Sequence, residues 1–586
     1  MNKPTSREKI PMDPITSALV DEFAQSSSLE NLTASQKFEH FCAFSIVSNR
    51  YSEEFETEDL VVGDGGDLNV DAFAVKVNGR LASDADFVDD VLAVNGYLDV
   101  EFIIIQAKTS SNFDGAAIIA LGDNLKHQIF AETQTMPFNS DVARLIEIKE
   151  RIFANAAKLR GNPTLRIFYA CTGNWNNDNY LVAAINQKKT DLENTNLFSE
   201  VQYQPIGARS IQELFRQTRT SIVRELVFSN QVTLPAIDGV EAAYLGYLPY
   251  SEFLKLITDE DGEIIKSVFV DNVRDFQGQN PVNEDIAETI RQGEFDQFAL
   301  RNNGVTVVAR EIKVTSNRYT LVDYQIVNGC QTSHVLFQNS DNVDDNLLVP
   351  IKVIHTTNEE VSQAVTKSTN RQTKVEESDL LALTTFQRDL EDYYSNQPPE
   401  YRLYYERRTK QYANRNDIER GRIVPISMQL KSFASMFIEL PNQASRYQGT
   451  LMRSVGSQVF RENHRPEPYF LSSLALYRFE VAIRRLPIEQ RDIRPFRFYL
   501  LLAFRYLYED RTFESASKRS AEAYCEGLKQ HLVNHDVAKP AFDACEDVVR
   551  TAIAELGLTM DRDSAKSRPL IDKVRQISQQ RNTART

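Results

Sequence analysis

Asp71, Gln106 and Lys108 are the residues of this 586-residue chain whose types and spacing suit phosphodiester chemistry. Asp71 opens a stretch with strand texture, and Gln106 and Lys108 stand two apart at the end of the next such stretch. Side chains at i and i+2 of a strand share a face, so Gln106 and Lys108 point the same way. With the two strands as neighbours, Asp71 joins them at one edge. A carboxylate and a second oxygen ligand there would hold a hard divalent cation, Mg2+ or Mn2+. The Lys108 ammonium would orient the attacking water or stabilise the transition state.

The elements that must position these groups are legible around them. Ser35–Asn49 reads as a helix. Val70–Val77 ends in Asn78-Gly79, a hairpin-type turn signal, and Glu101–Lys108 is β-branched and apolar, as in a strand buried on both faces. Helical texture over Phe113–Arg160 and a strand at Thr164–Cys171 complete an α/β domain ending near Glu225. Asp84, Asp86, Asp89 and Asp90 fall between the two strands and read as loop decoration.

The run Gly63-Asp-Gly-Gly-Asp67-Leu-Asn-Val-Asp71, followed by Gln106-Ala-Lys108, resembles the Mrr-type branch of the PD-(D/E)XK nuclease superfamily. There a glycine-rich turn and an Asp precede Gln-x-Lys on the next strand. The resemblance implies a catalytic set of Asp71, Gln106 and Lys108, with Asp71 and Gln106 on the metal. It also implies an acidic residue on the preceding helix, a place that Glu39 fits. The i+3, i+4 and i+7 neighbours of Glu39 are Cys42, Ala43 and Ile46, so it lies on an apolar stripe where an ionised carboxylate needs a partner such as a metal. Asp67 reads equally as a support for the metal or as a turn-forming Asx residue.

The middle of the chain carries a second constellation. Asp271-Asn-Val-Arg-Asp275, Arg301-Asn-Asn-Gly304, Gln325-Ile-Val-Asn-Gly-Cys-Gln-Thr332, Thr369-Asn-Arg-Gln-Thr373 and Tyr405-Glu-Arg-Arg408 are small polar motifs set against apolar strands. Asn328-Gly329 reads as a strand ending in a tight turn, with Gln331, Thr332 and Ser333 capping a following helix. Backbone N–H groups there, with Arg274 and Arg371, would form an anion or phosphate pocket. In this order the motifs resemble the AIPR family, named for abortive infection and phage resistance, over about Val270 to Arg408. The resemblance implies anti-phage defence and makes Arg274, Asn303, Asn328, Gln331, Thr332, Asn370, Arg371 and Arg407 candidates for contact with substrate or an effector.

Strands at Gly304–Ala309, Arg318–Val327 and Leu348–His355 mark a second mixed region, and the pattern beyond Glu377 is helical. The expected organisation is multidomain, α/β and α+β. A polar segment (1–30) precedes a restriction-endonuclease-like α/β domain (31–225). A mixed α/β AIPR domain (233–376) and a helical C-terminal region (377–586) follow.

Charge bears on the partner. Net charge is −16, which on its face argues against nucleic acid. From Tyr51 to Glu101, however, 14 Asp/Glu face 2 Lys/Arg, so this segment carries −12 and the other 535 residues only −4. Two basic stretches lie near the C-terminus, Tyr401–Arg422 and Arg562–Arg585, with seven Lys/Arg each, and Arg484, Arg485, Arg491, Arg494 and Arg497 add to them. They suit either phosphate contacts or ion pairs with the acidic segment. The aromatic run Phe496–Phe504 suits a core or a homodimer interface. Five scattered cysteines without CxxC spacing read as reduced thiols in a cytosol, and no run approaches the ~18–20 apolar residues of a membrane helix.

Two functions compete. The first is a Mg2+-dependent nuclease of phage defence cutting DNA, with RNA as the other substrate class. The second is a non-catalytic sensor or scaffold with a degenerate nuclease domain, responding to a phage-derived or nucleotide trigger.

Overall fold

The computed structural model describes residues 12–51, 53–63, 65–219, 223–258, 262, 264–269, 281–358, 361–362, 365, 385–407, 411–412, 415, 417–444 and 448–584. They fall into two compact units, one within Met1–Val47, Glu53–Phe215 and Leu380–Thr586, the other within Ser48–Ser52 and Arg216–Asp379. Both are mixtures of helix and sheet. The expected 31–225 and 377–586 segments thus lie mostly in one unit.

The N-terminal part of the first unit contains α1 (Pro14–Ser26), α2 (Ala34–Val47), β1 (Ala72–Val77), β2 (Arg80–Leu81), α3 (Ala85–Asn95) and β3 (Val100–Lys108). There follow α4 (Gly115–Asn124), α5 (Ser140–Ala154), β4 (Thr164–Cys171), α6 (Asn179–Glu193), β5 (Glu200–Ile206) and α7 (Ala208–Gln217). The sheet order is β2-β1-β3-β4-β5. β1 runs antiparallel to β3, whereas β3, β4 and β5 are parallel. The start of β1 and the C-terminal ends of β3 and β4 therefore share one edge, where open α/β sheets present their ligand sites.

β3 is apolar on both faces because both are covered. Phe102 and Ile104 join Ile118, Leu121, Leu145 and Ile148 in one cluster, and Ile103 and Ile105 on the other face are as fully buried. α2 packs against β3 and β1.

Three expectations need correction. The polar first 30 residues contain a packed helix. Asp13 caps α1 by accepting from Ile15 N and Thr16 N at 3.1 Å, and Phe23 stacks on Phe44 at 5.2 Å. Asp84, Asp86, Asp89 and Asp90 belong to a helix, not a loop: Asp84 caps α3 through Phe87 N at 3.0 Å, and Asp90 is buried. The helical texture of 113–160 is broken over 130–139, where Asn139 caps α5 through Asp141 N and Val142 N.

The second unit holds β6 (Val223–Val227), β7 (Asn230–Thr233), β8 (Ala242–Pro249), α8 (Tyr250–Ile257), α9 (Pro281–Arg291), α10 (Phe295–Arg301), β9 (Val305–Thr315), β10 (Arg318–Asn328), α11 (Cys330–Gln338) and β11 (Leu348–His355). Its sheet order is β6-β10-β9-β11-β8-β7, with β9 and β11 parallel and the other pairs antiparallel.

The chain returns to the first unit as a largely helical layer. Glu467–Arg485 and Arg497–Tyr508 lie at its centre, and Phe496 and Leu500–Phe504 are buried in its core. This places the aromatic run in the interior of the chain itself.

The acidic segment meets that layer directly. Arg484, 5% exposed, binds Glu56 at 2.5 Å and Glu58 at 2.6 Å, and Arg494 binds Asp59 at 2.7 Å. Arg497 and Arg562 also approach Asp59, Arg420 binds Glu54 at 2.6 Å, and Lys566 binds Asp86 at 2.7 Å and Asp84 at 3.3 Å. These acids are therefore not loop surface. Neither are those arginines a free phosphate-binding supply. Arg575 and Arg581 are also paired, with Glu439 and Asp547, and Lys573 with Glu555 at 2.5 Å. Burial alone would raise the Glu58 carboxyl, but Arg484 and Arg494 outweigh it and hold it at about 2. Burial, with those arginines, lowers His40 to about 4, and its Nδ1 lies 2.7 Å from Thr57 Oγ1.

Removing one partner of a buried ion pair strands the other, so Arg484→Ala should cost about 3–5 kcal/mol in denaturant unfolding. Arg581→Ala, at a surface pair, should cost less than about 1 kcal/mol. The same band makes the fold acid-labile. Unfolded His40 takes a proton from its ordinary 6.5 downward that folded His40 refuses until about 4. The Glu58 contribution is complete above its ordinary 4.5 and is lost as pH falls toward about 2. Denaturation midpoints followed from neutral pH into acid should therefore fall through both windows.

Candidate functional site

At the shared sheet edge, Asp71 precedes β1 and donates its backbone N–H to Ile105 O at 2.9 Å. Its carboxylate accepts from Ala107 N at 2.7 Å through Oδ2, and from Lys108 Nζ at 3.1 Å through Oδ2 and 3.3 Å through Oδ1. Burial raises the Asp71 carboxyl above its ordinary range, opposed by Lys108 and by the Ala107 N–H. Lys108 is the one residue of β3 that is not buried, with 37% of its side chain exposed. The structure thus brings Asp71 and Lys108 into contact as the spacing predicts.

Gln106 shares the Lys108 face of β3 and stands in register with Tyr169 of β4. It is fully buried, yet neither its Oε1 nor its Nε2 has a hydrogen-bond partner among the described residues. A buried amide left unsatisfied costs about 1–3 kcal/mol, so such a residue inside a sheet marks a place where another group belongs.

Glu39 lies on α2, half-buried, and its Oε1 accepts from Ser35 Oγ at 3.2 Å, so it has a protein partner. The Cys42 thiol one turn on is pushed well above its usual range by burial, then by the charges of Asp71 and Glu39. Asp67 makes an Asx turn, its Oδ1 accepting from Asn69 N at 2.7 Å. Among the described residues, no three His, Cys, Asp or Glu side chains converge on a metal-sized position.

The loops that carry β3 into α4 and β4 into α6 are stitched together at this edge. Thr172 donates to Ser110 O from both N and Oγ1, at 3.1 and 3.0 Å. A Cβ on Gly173 would stand 2.0 Å from Ser111 O, so only glycine permits the approach. Phe113 and Trp175 on these loops, and Tyr180 on the first turn of α6, belong to none of the spaced motifs of the sequence. The available signal was the chain's one tryptophan, in the polar run Gly173-Asn-Trp-Asn-Asn-Asp178 directly after a strand.

In the second unit, two of the ordered motifs interlock. Gly329, at φ 97°, is the N-cap residue of α11, and a Cβ there would stand 2.7 Å from Val305 Cγ2 and 3.1 Å from Gly304 O. Asn328 faces Thr306 across a β-bulge, and Asn303 is exposed just ahead of Gly304. Gln331, Thr332 and Ser333 lie inside α11 and do not cap it. Ser333 Oγ bonds back to Gly329 O at 2.8 Å, and Thr332 is buried. Arg407 belongs to the first unit, 8% exposed, with Nε on Glu391 at 2.9 Å. Arg274, Asn370 and Arg371 lie outside the described residues.

Residues 269–538 match the family model described as AIPR protein. The match supports the AIPR family. It takes in the interlocked glycine motifs of the second unit and continues through Arg407 into the helical layer of the first. No curated protein and no solved structure matches the chain. Among the described residues, no helix is long and apolar enough to cross a membrane.

Gly329→Ala imposes both a left-handed backbone and a clash with Val305, so it should destabilise the second unit by about 1–3 kcal/mol. Gly293→Ala, at φ 68° with nothing within 4 Å of its Cβ, carries the backbone strain alone and should cost less. Denaturant midpoints of the two variants compare them.

Proposed function

We propose that the chain is a metal-dependent nuclease of anti-phage, abortive-infection defence, hydrolysing phosphodiester bonds, of DNA in the first instance. The observation that carries this reading is the unpartnered, fully buried Gln106 amide on the strand face that also holds the Asp71–Lys108 pair. An amide oxygen, a carboxylate and an ammonium at the open edge of a sheet match the donor set that such hydrolysis needs.

Asp71 and the Gln106 oxygen would hold Mg2+ or Mn2+, with Glu39 from α2 as support. Once bound, the ion supplies Lewis acidity and a hydroxide-like water at neutral pH. Lys108 works against the burial that favours a protonated Asp71. Its half-exposed ammonium would also face a phosphate oxygen and offset the charge that develops there. The Ala107 N–H, donating to the same Oδ2 that Lys108 binds, helps fix the carboxylate orientation. The AIPR segment would recognise substrate or sense infection, in keeping with the family match.

The test is incubation of the purified chain with plasmid, single-stranded DNA and RNA, with Mg2+ or with EDTA. Cleavage should require the metal, and Lys108→Ala and Asp71→Ala should each slow it by about 100- to 1000-fold. Equal cleavage by wild type and Lys108→Ala would remove Lys108 from the site.

A second reading, a non-catalytic sensor with a degenerate nuclease domain, is favoured by the neutral Gln106 where an acid would bind metal more strongly. Calorimetric titration with Mg2+ and Mn2+ separates the two. Binding lost in Asp71→Asn supports the nuclease, and no binding by wild type supports the sensor.

A further inference from the structure

Resting on the nuclease reading, we infer that Trp175 and Tyr180 form a stacking shelf for unpaired nucleobases beside the Asp71–Lys108 edge, so that the substrate strand is engaged single-stranded. Trp175 follows the end of β4 by four residues, and Cys171 at that end is in register with Lys108. Its indole packs edge-on against Phe113 at 4.8 Å, and Phe113 in turn lies 5.8 Å from Tyr169, the register partner of Gln106. A file of rings thus leads from Tyr169, beside Gln106 in the sheet, through Phe113 to the half-buried Trp175.

The shelf is held in place before any ligand arrives. Trp175 Nε1 donates to Asn177 Oδ1 at 2.8 Å, and Asn177 adopts the left-handed conformation, φ 54°. Ala208 N donates to Gly173 O at 2.8 Å, and a Cβ on Gly207 would stand 3.1 Å from Trp175 N, so the loop sits tightly on the start of α7. Tyr180, on the first turn of α6, is 64% exposed and touches the start of α4, where a Cβ on Gly115 would stand 2.7 Å from its ring. Rings fixed by their neighbours lose little entropy on binding.

Charge favours unpaired bases over a duplex. Duplex binding draws its affinity from a row of cations along the phosphates. Arg484, Arg494, Arg497, Arg562 and Lys566 are committed to the chain's own carboxylates. Beside the shelf, Asp114 and Asp178 cap α4 and α6. Stacking needs no such row, because every base offers a π-face.

Trp175 is the chain's one tryptophan, so its emission reports the shelf directly. Fluorescein-labelled oligo(dT), oligo(U) and a dT·dA duplex of equal length are titrated into the full chain in EDTA, with anisotropy reporting binding and tryptophan emission reporting stacking. Oligo(dT) or oligo(U) should bind and quench Trp175 saturably, and the two arms rank DNA against RNA. Tyr180→Ala should weaken single-strand binding by about 5- to 150-fold, the equivalent of one stacked base, while Gln187→Ala, at an exposed position of α6, serves as a surface control. Single strands that bind without changing Trp175 emission, or a duplex that binds and quenches more strongly, would overturn the shelf and leave the nuclease reading standing. If none of the three probes binds, the shelf falls, and the cleavage assay in Mg2+ decides the nuclease reading by itself.

Discussion

The fold of the first unit depends on drawing four carboxylates, those of Glu54, Glu56, Glu58 and Asp59, partly out of water and onto arginines that lie far away in sequence. Glu56 and Glu58 close on Arg484, and Asp59 on Arg494, at 2.5–2.7 Å. Neither set could be buried alone, since an unpaired charge in that position would be neutralised or expelled. The short helical turn carrying these acids runs straight into the site. Leu60 O accepts from Phe73 N, and Val62 N donates to Asp71 O, both at 2.9 Å. The ionic band therefore fixes the strand from which Asp71 emerges, and the chemistry at the sheet edge inherits its rigidity.

This changes the meaning of the chain's acidity. Taken as composition, −16 speaks against a polyanionic partner. In the structure much of the acidic segment is internal currency, matched by the very arginines that would otherwise have advertised a nucleic-acid surface. The two observations cancel, and what the candidate site shows to solvent includes the partly exposed Lys108 ammonium and the exposed ring of Tyr180. Affinity for a strand would then come from geometry at the edge of β3 and β4 more than from a general field.

Much of this was readable from residue order. β4 appears at its expected bounds, β1 and β3 within two residues of theirs, because β-branched runs closed by Asn-Gly or Gly leave little choice. The Asp71–Lys108 contact followed from period-two geometry. Tertiary facts were not readable. Asp84 and its neighbours look like a solvated loop until the cap on Phe87 N and the pairing with Lys566 are seen. α1 is weakly patterned because its stability comes from Phe23 against Phe44 and from one cap, not from a long apolar stripe. Gln331 and Thr332 look like caps, whereas a glycine at φ 97° starts that helix and the turn residues are carried inside it. Trp175 leaves no periodic signal in residue order, because a lone aromatic in a polar loop has no spacing to read.

The pairs that close the first unit join residues 366 to 435 positions apart. At about 5–20 residues per second, a ribosome makes the acids of residues 54–59 roughly 20–90 s before Arg420, Arg484 and Arg494 exist to meet them. During that interval the strand leading to Asp71 lacks its anchor, and the whole second unit is synthesised. A nascent chain of this design lacks its ionic closure until most of its length has been made, so the sheet edge at Asp71 is among the last features of the first unit to be braced.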